Sequence, residues 1–359
     1  MEYVFIMLVL VSAFLLAATV IFFLAAFFPL RLRRDEKVEE EGDMEKGLVV
    51  SSSVKVDVDD CVRKYGWDEI ERLTVNFTAP VIGRGGFSTV YLGKLPDSTS
   101  VAVKVHRDSE RLHRAFQQEL EVLLRIRHRS IVHLVGYCDK KEEGALVFEY
   151  IPNGTLEDKL HCDGEVRGIV DKPLTWLERM SISYNLAISL EYLHENCHPQ
   201  IIHSDLKPSN ILLSNTLQSK LCDFGSAKIG FSSSMTPSPI PRNLRHAIVG
   251  SPGYSDPHYL KTGMTSKKSD VYSFGVLLME LVTGVRAFDE EKGGNLLTVE
   301  MMGVVDRRLD GKFDDKERNI LEDVVRRCVG EQPSLRPSMS EIVAIFTDKI
   351  TTSISAVHI

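Results

Sequence analysis

Hydrophobic and polar positions divide the chain into three regimes. From Tyr3 to Phe28, YVFIMLVLVSAFLLAATVIFFLAAFF, no position is charged and no polar stripe interrupts the run. At about 1.5 Å per residue it covers the roughly 30 Å of a hydrocarbon core, so it predicts a transmembrane helix over residues 1–28. A cleaved signal peptide is the rival reading, but that needs a basic leading region and a shorter apolar stretch, and the only early charge is Glu2. Arg31, Arg33 and Arg34 follow the run. The excess of positive charge there predicts a single-pass protein, at the plasma membrane, with its bulk in the cytoplasm and no ectodomain ahead of the span.

The second regime, residues 29–76, reads as a juxtamembrane linker. Its stretch DEKVEEEGDMEKGLVVSSSVKVDVDD mixes acidic charge, glycine and serine with little periodicity, which suits a solvated spacer. The third regime begins near Phe77, where short alternating runs appear. VIGRGGFSTVYLGKLPDSTSVAVKV (81–105) reads as strand, glycine turn, strand, turn, strand. A dinucleotide-binding loop would put a helix straight after its glycines, whereas here β-branched and aromatic residues follow. RLHRAFQQELEVLLRI (111–126) then carries Leu112, Phe116, Leu120 and Leu123 at helical spacing. A further long helix is predicted over 175–195, with Trp176 and His194 read as packing residues.

Two charges in these runs need a reason. Lys104 lies among the apolar residues of VAVKV, where an unpaired ammonium is costly. Glu119 falls within about 20° of Leu112 on the helix, inside the apolar stripe. Each charge answers the other's desolvation, so a Lys104–Glu119 pair is predicted. Gly83, Gly85 and Gly86 lack a Cβ and allow backbone to approach a triphosphate closely.

Composition narrows the classes further. The formal net charge of −7 on 359 residues, with no basic cluster beyond RLRR at 31–34, argues against nucleic-acid binding. The six cysteines are scattered without a CxxC pair, which predicts reduced thiols. The neighbours HC at 161 and CH at 197 lack the four ligands that a zinc site requires.

In order along the chain stand GRGGFSTV, VAVK, Glu119, LVFEYIPNGTL, HSDLKPSN, DFG, GSPGYSDPHY, SDVYSFGVLLMELVTG and QPSLRPSM. With these motifs the chain, from about Phe77 to about Asp348, resembles a eukaryotic protein kinase of the plant receptor-like serine/threonine type. The resemblance implies an α+β bilobal fold over 77–348, with a mainly β N-lobe (77–148), a mainly α C-lobe (152–348) and a tail at 349–359. It implies ATP with Mg2+, or Mn2+ in its place, as cofactors. Lys104, oriented by Glu119, would hold the α and β phosphates. Asp223 and Asn210 would hold metal, Asp205 would accept the substrate proton, and Lys207 would neutralise the transferring phosphoryl group. The glycine-rich loop, Ile82 through Val90 (Ile82, Gly83, Arg84, Gly85, Gly86, Phe87, Ser88, Thr89, Val90), would cover the nucleotide. Ala102 and Leu212 would sandwich the adenine, beside Phe148 as gatekeeper and the backbone of Glu149 and Ile151. Lysine two residues after Asp205 is the serine/threonine pattern, and Ser251 would link Asp205 and Lys207. Asp270 would bond the catalytic loop from beneath, with a plain N-cap as the alternative. Protein substrates with serine or threonine, and a membrane co-receptor or second kinase, are the implied partners.

Three positions depart from the family pattern. Ser88 replaces the third loop glycine. Ser204 replaces the arginine that usually captures an activation-loop phosphate, which predicts that modification within 226–250, including Thr236 and Ser238, changes turnover little. His258 stands where a glutamate usually pairs with Arg336, which predicts a loosely pinned segment that His258→Glu would firm up. The stretch 290–311 is shorter than its counterpart and puts a substrate-docking helix in doubt. The alternative function is a pseudokinase or tethered scaffold that binds ATP and partners without turnover.

Overall fold

The computed structural model describes residues 62–85, 88–107, 110–140, 143–161, 172–230, 250–289, 294–295, 303–350 and 353. The smaller lobe is a six-stranded sheet. Its strands are β1 (Arg63–Lys64), β2 (Val81–Arg84), β3 (Ser88–Lys94), β4 (Ser100–Arg107), β5 (Leu134–Lys140) and β6 (Glu143–Glu149), in the order β1-β5-β6-β4-β3-β2. All neighbours are antiparallel except β1 on β5. In β4 the valines Val101, Val103 and Val105 are buried in a core with Ile70, Ala145 and Val147. The two-residue period therefore turns Ala102 and Lys104 to the other face. Helix α1 (Trp67–Leu73) lies between β1 and β2 in the chain, and α2 (Glu110–Leu123) packs on the other side of the sheet with Phe116, Leu120 and Leu123 inward.

The larger lobe is helical. It contains α3 (Leu156–Leu160), α4 (Trp176–Glu191), α5 (Pro257–Thr262), α6 (Lys267–Thr283), α7 (Asp315–Cys328) and α8 (Met339–Lys349), with two short antiparallel strand pairs: β7 (Ile201–Ile202) with β10 (Lys228–Ile229), and β8 (Ile211–Leu213) with β9 (Ser219–Leu221). Helix α4 starts in a capping box between Thr175 and Glu178. Helix α6 stops at Gly284, whose φ of +67° is left-handed; a Cβ there would lie 2.3 Å from the Asp306 carboxylate. Both helices are buried nearly all round, as expected of central helices rather than surface ones. Arg179 of α4 is among the largest fully buried side chains, held by Asp306 at 2.7 Å and by the carbonyls of Leu281 and Leu174.

Two sequence expectations change here. Among the described residues no helix is long and apolar enough to cross a membrane, and the run 3–28 lies outside them. The bilobal fold is shown with no leading transmembrane helix among the described residues, and the single-pass plasma-membrane placement has no spanning helix there to rest on. Hydropathy reports how readily a segment leaves water, not that it spans. Second, residues 63–73 are not spacer: β1 joins the sheet edge, and Tyr65, Ile70 and Leu73 are buried. Seven helical residues are too few for a clear period in the sequence. Residues 29–61, the tail beyond 350 apart from Ser353, and most of 290–302 lie outside the described residues.

Candidate active site

A cleft of about 550 Å³ lies between the lobes. Ile82, Gly83, Arg84, Gly85, Ser88, Val90, Ala102 and Lys104 line it from the sheet, Phe148, Glu149 and Ile151 from the connection, and Leu212, Asn210, Lys207 and Asp223 from the helical lobe. Thr89 pairs with Val105 within the sheet and does not line the cleft. Gly86 and Phe87 lie outside the described residues. At Gly83 an added Cβ would meet only Val90 at 3.4 Å, so packing within the protein does not demand glycine there. The Glu149 side chain turns to Lys220 at 2.6 Å and to the His133 amide at 2.9 Å, leaving its backbone at the cleft.

Strand β4 and helix α2 bring Lys104 and Glu119 together as their patterns require. The Lys104 Nζ donates to both Glu119 oxygens at 2.7 and 2.9 Å, and to Asp223 Oδ1 at 2.8 Å. Burial alone would lower the Lys104 pKa, but the two carboxylates outweigh it and hold the ammonium well above its ordinary value. Burial pushes the Glu119 carboxyl up, opposed by Lys104. Burial likewise works against Asp223, but Lys104 dominates and brings its carboxyl to about 2. Lys104 and Asp223 are therefore ionic at neutral pH, and both Glu119 oxygens accept from the ammonium. His106, two residues on in β4, sits 3.6 Å from Glu119, with its Nδ1 unpartnered. Burial and then Lys104 lower its pKa to about 4, so it is neutral.

The loop after β7 carries the second group. Ser251 Oγ donates to Asp205 Oδ1 at 2.7 Å and accepts from Lys207 Nζ at 2.8 Å. Lys207 also lies 3.0 Å from Asp205 Oδ2, and Asn210 Nδ2 donates to the Asp205 carbonyl at 2.8 Å. Asp270, in the first turn of α6, accepts from the amides of His203 and Ser204, both at 2.9 Å. It is no N-cap: Ser266 holds that position. His194 completes the support at 2.8 Å from Asp270, so it carries a buried polar contact rather than packing alone. Burial raises the Asp270 carboxyl, and His194, His203 and the Ser204 amide together bring it below its ordinary value. Ser204 has φ +67°, and its Oγ is buried without a partner. The His203 ring reaches the Cys222 carbonyl at 3.1 Å and stands edge-on to Phe224, joining this loop to Asp223.

The expectation at His258 is overturned. Arg336 is not left without a carboxylate: Asp256 meets it in a buried bidentate pair at 2.8 and 2.9 Å, and also caps α5 through the His258 amide at 2.9 Å. The readable signal was an aspartate immediately before a proline, the pattern of an N-cap with proline at the first helical position. Trp176 is likewise more than packing, since its indole donates to Glu317 at 2.7 Å.

A two-lobed fold whose cleft joins a lysine–glutamate pair to an aspartate, facing a supported Asp–Lys–Asn loop, defines a nucleotide-dependent phosphotransferase. The protein kinase domain family matches residues 78–345. The chain is 48% identical over 328 residues to rice (Oryza sativa subsp. japonica) salt tolerance receptor-like cytoplasmic kinase 1, covering 89% of this chain and 87% of that protein. It is 42% identical over 298 residues to an Arabidopsis thaliana protein named as a probable receptor-like protein kinase, covering 77% of this chain and 85% of the relative. An Arabidopsis protein named as a probable LRR receptor-like serine/threonine-protein kinase is 37% identical over 290 residues, which cover 78% of this chain but 31% of that protein. The chain belongs to the protein kinase family, among the plant receptor-like kinases, and is a protein serine/threonine kinase that uses ATP and a divalent metal on protein substrates. The first of these relatives is named a receptor-like cytoplasmic kinase.

Proposed function

We propose that the cleft binds ATP with Mg2+ and that its γ-phosphoryl group passes to a serine or threonine hydroxyl held at Asp205. The observation that carries this reading is the contact of Ser251 with both Asp205 and Lys207 beside the Lys104–Glu119–Asp223 trio. Asp205 orients the incoming hydroxyl and takes its proton at a carboxylate oxygen. Lys207 sits where negative charge gathers on the moving group, and Ser251 keeps the two in register. Lys104, locked by Glu119, holds the α and β phosphates, while Ile82, Val90, Ala102 and Leu212 enclose the adenine beside Phe148 and the backbone of Glu149 and Ile151. Gly83 and Gly85, with Arg84 and Ser88, form the cover over the phosphates. Asp223 and Asn210 both line the cleft and offer hard oxygen ligands, so they would hold a magnesium ion there. Bound there, the ion neutralises phosphate charge.

Ser204 uses its backbone amide on Asp270 and has no cation to offer a phosphate. Control therefore falls to a partner protein, such as a co-receptor or second kinase, more than to the chain's own activation loop. The test is incubation of the full chain with γ-labelled ATP, Mg2+ and dephosphorylated casein, beside Asp205→Asn. Labelled serine or threonine that vanishes in the variant is expected. No label, with ATP still raising the melting temperature, would overturn the reading in favour of a scaffold.

A further inference from the structure

In the dipeptide HC at 161 the histidine makes a buried polar contact. His161 closes α3 as its C-terminal cap residue, and its side chain is 5% exposed. Its Nε2 lies 2.6 Å from Glu280 Oε1 of α6, a carboxylate that is itself 1% exposed. The other oxygen, Oε2, accepts from the Tyr254 hydroxyl at 2.6 Å. Since Glu280 accepts from Tyr254 through Oε2, the tautomer that completes the contact has Nε2–H of His161 donating to Oε1. Beside this chain of contacts, Arg286 pairs with Glu157 of α3 at 3.0 Å.

Tyr254 belongs to the short loop that carries Ser251. Its amide bonds the Ser251 carbonyl at 3.2 Å, its own carbonyl accepts from Ser273 of α6 at 2.8 Å, and Ser255 Oγ reaches the Ser251 carbonyl at 3.1 Å. Gly253 between them has φ +83°, and a Cβ there would crowd Phe288 and the Ala287 backbone at 3.0 to 3.1 Å. The loop has little room to shift without losing its seat, so the Ser251 hydroxyl follows the placement of Tyr254. Burial and Glu280 keep the Tyr254 hydroxyl protonated and donating.

We propose that His161 is a positioning residue for the phosphoacceptor side of the site: by donating to Glu280 it fixes the carboxylate on which Tyr254, and through it Ser251 between Asp205 and Lys207, is seated. The proposal rests on the reading of Asp205 and Lys207 above. It assigns helix α3, which follows the lobe connection, a direct part in holding the substrate side of the cleft. A merely structural histidine would affect folding and both substrates alike. A positioning one affects the protein substrate selectively.

The experiment uses the full chain with dephosphorylated casein and ATP, each varied against saturating levels of the other. His161→Leu removes the donor; His161→Gln keeps an N–H near the Nε2 position; Tyr254→Phe removes the other donor to Glu280. For His161→Leu we expect kcat/KM for casein to fall about tenfold, the order of one buried hydrogen bond to a charged group, with KM for ATP within about twofold. His161→Gln should recover most of the loss. The His161→Leu/Tyr254→Phe pair should lose less than the product of the two single losses, because both act through Glu280. Equal losses toward ATP and casein, a loss confined to melting temperature, or failure of His161→Gln to recover casein turnover in a folded protein would overturn the proposal. Should His161→Leu not fold, Tyr254→Phe and His161→Gln carry the same comparison. Retained transfer in Asp205→Asn would strike the underlying reading alone, without bearing on whether casein and ATP separate in the His161 variants.

Discussion

The Asp256–Arg336 pair turns an expected weakness into a fixed point, and its removal is the sharpest stability test. Both side chains are 1% exposed, and the guanidinium also donates to the carbonyls of Lys268 at 2.8 Å and Gly330 at 2.9 Å. Asp256→Asn keeps a helix-capping oxygen but strands the buried cation. Breaking one side of such a pair costs about 3–5 kcal/mol. The two carbonyls still serve Arg336, so we expect the lower end, about 3 kcal/mol. At roughly 2–4 °C per kcal/mol for a domain of this size, the melting temperature should drop about 6–12 °C. His258→Glu, by contrast, adds a carboxylate beside an arginine that is already satisfied and should shift melting by no more than about 2 °C. The pH dependence has a definite sign. Burial opposes ionisation of Asp256, but the bonds from Arg336 and the His258 amide prevail and hold its carboxyl below the ordinary value. Its contribution is thus complete above about pH 4, the unfolded carboxylate range, and disappears as pH falls through the folded value. Calorimetry of wild type and Asp256→Asn at pH 7, 5 and 3 should give the same gap at the first two and a narrower one at the third. A gain in His258→Glu, or a loss under about 2 °C in Asp256→Asn, would refute the assignment of Asp256 as the partner of Arg336.

Three further outcomes can be checked. Ser251→Ala should lower kcat about tenfold by freeing Lys207 and Asp205 from their shared hydroxyl, whereas Ser251→Thr should keep most activity; steady-state transfer to casein decides. Asp306, opposed by burial but held to about 2 by Arg308 and then Arg179, contributes stability that is present above the ordinary carboxylate range and lost as pH falls through about 2. The melting difference between wild type and Asp306→Asn should therefore be constant from pH 7 to 5 and shrink between pH 4 and 2. Chelation of divalent metal with EDTA should abolish transfer, and added Mg2+ should restore it, without changing the melting temperature of the nucleotide-free protein beyond about 1 °C.

Much of the site was legible because its residues sit in runs with short periods. The two-residue alternation of VAVKV and the 3.6-residue stripe over 111–126 place Lys104 and Glu119 on facing surfaces, and the desolvation of two lone charges then requires them to meet, as they do at 2.7 Å. Asp270 beneath the loop and Ser251 across it could be anticipated from the family motifs alone. The partner of Arg336 was not legible: Asp256 before Pro257 reads only as an N-cap, and it is the turn into α5 that also brings its carboxylate against a guanidinium 80 residues away. The same holds for His194, Trp176 and His161, whose polar atoms find Asp270, Glu317 and Glu280 some 76, 141 and 119 residues away.

The class can be read along the chain: strand and helix periods, the ordered motifs and the charges that must be paired are local properties, written within a few residues of one another. Which buried polar groups share a partner is set by the fold. The tertiary structure showed that residues 63–73 join the lobe, that Asp256 rather than His258 anchors the segment after Ser251, and that His161 reaches Tyr254 through Glu280. The physical reason is that a buried donor or acceptor must be satisfied by whatever the fold brings within about 3 Å, and that neighbour is set by the packing of whole helices, which no local pattern encodes.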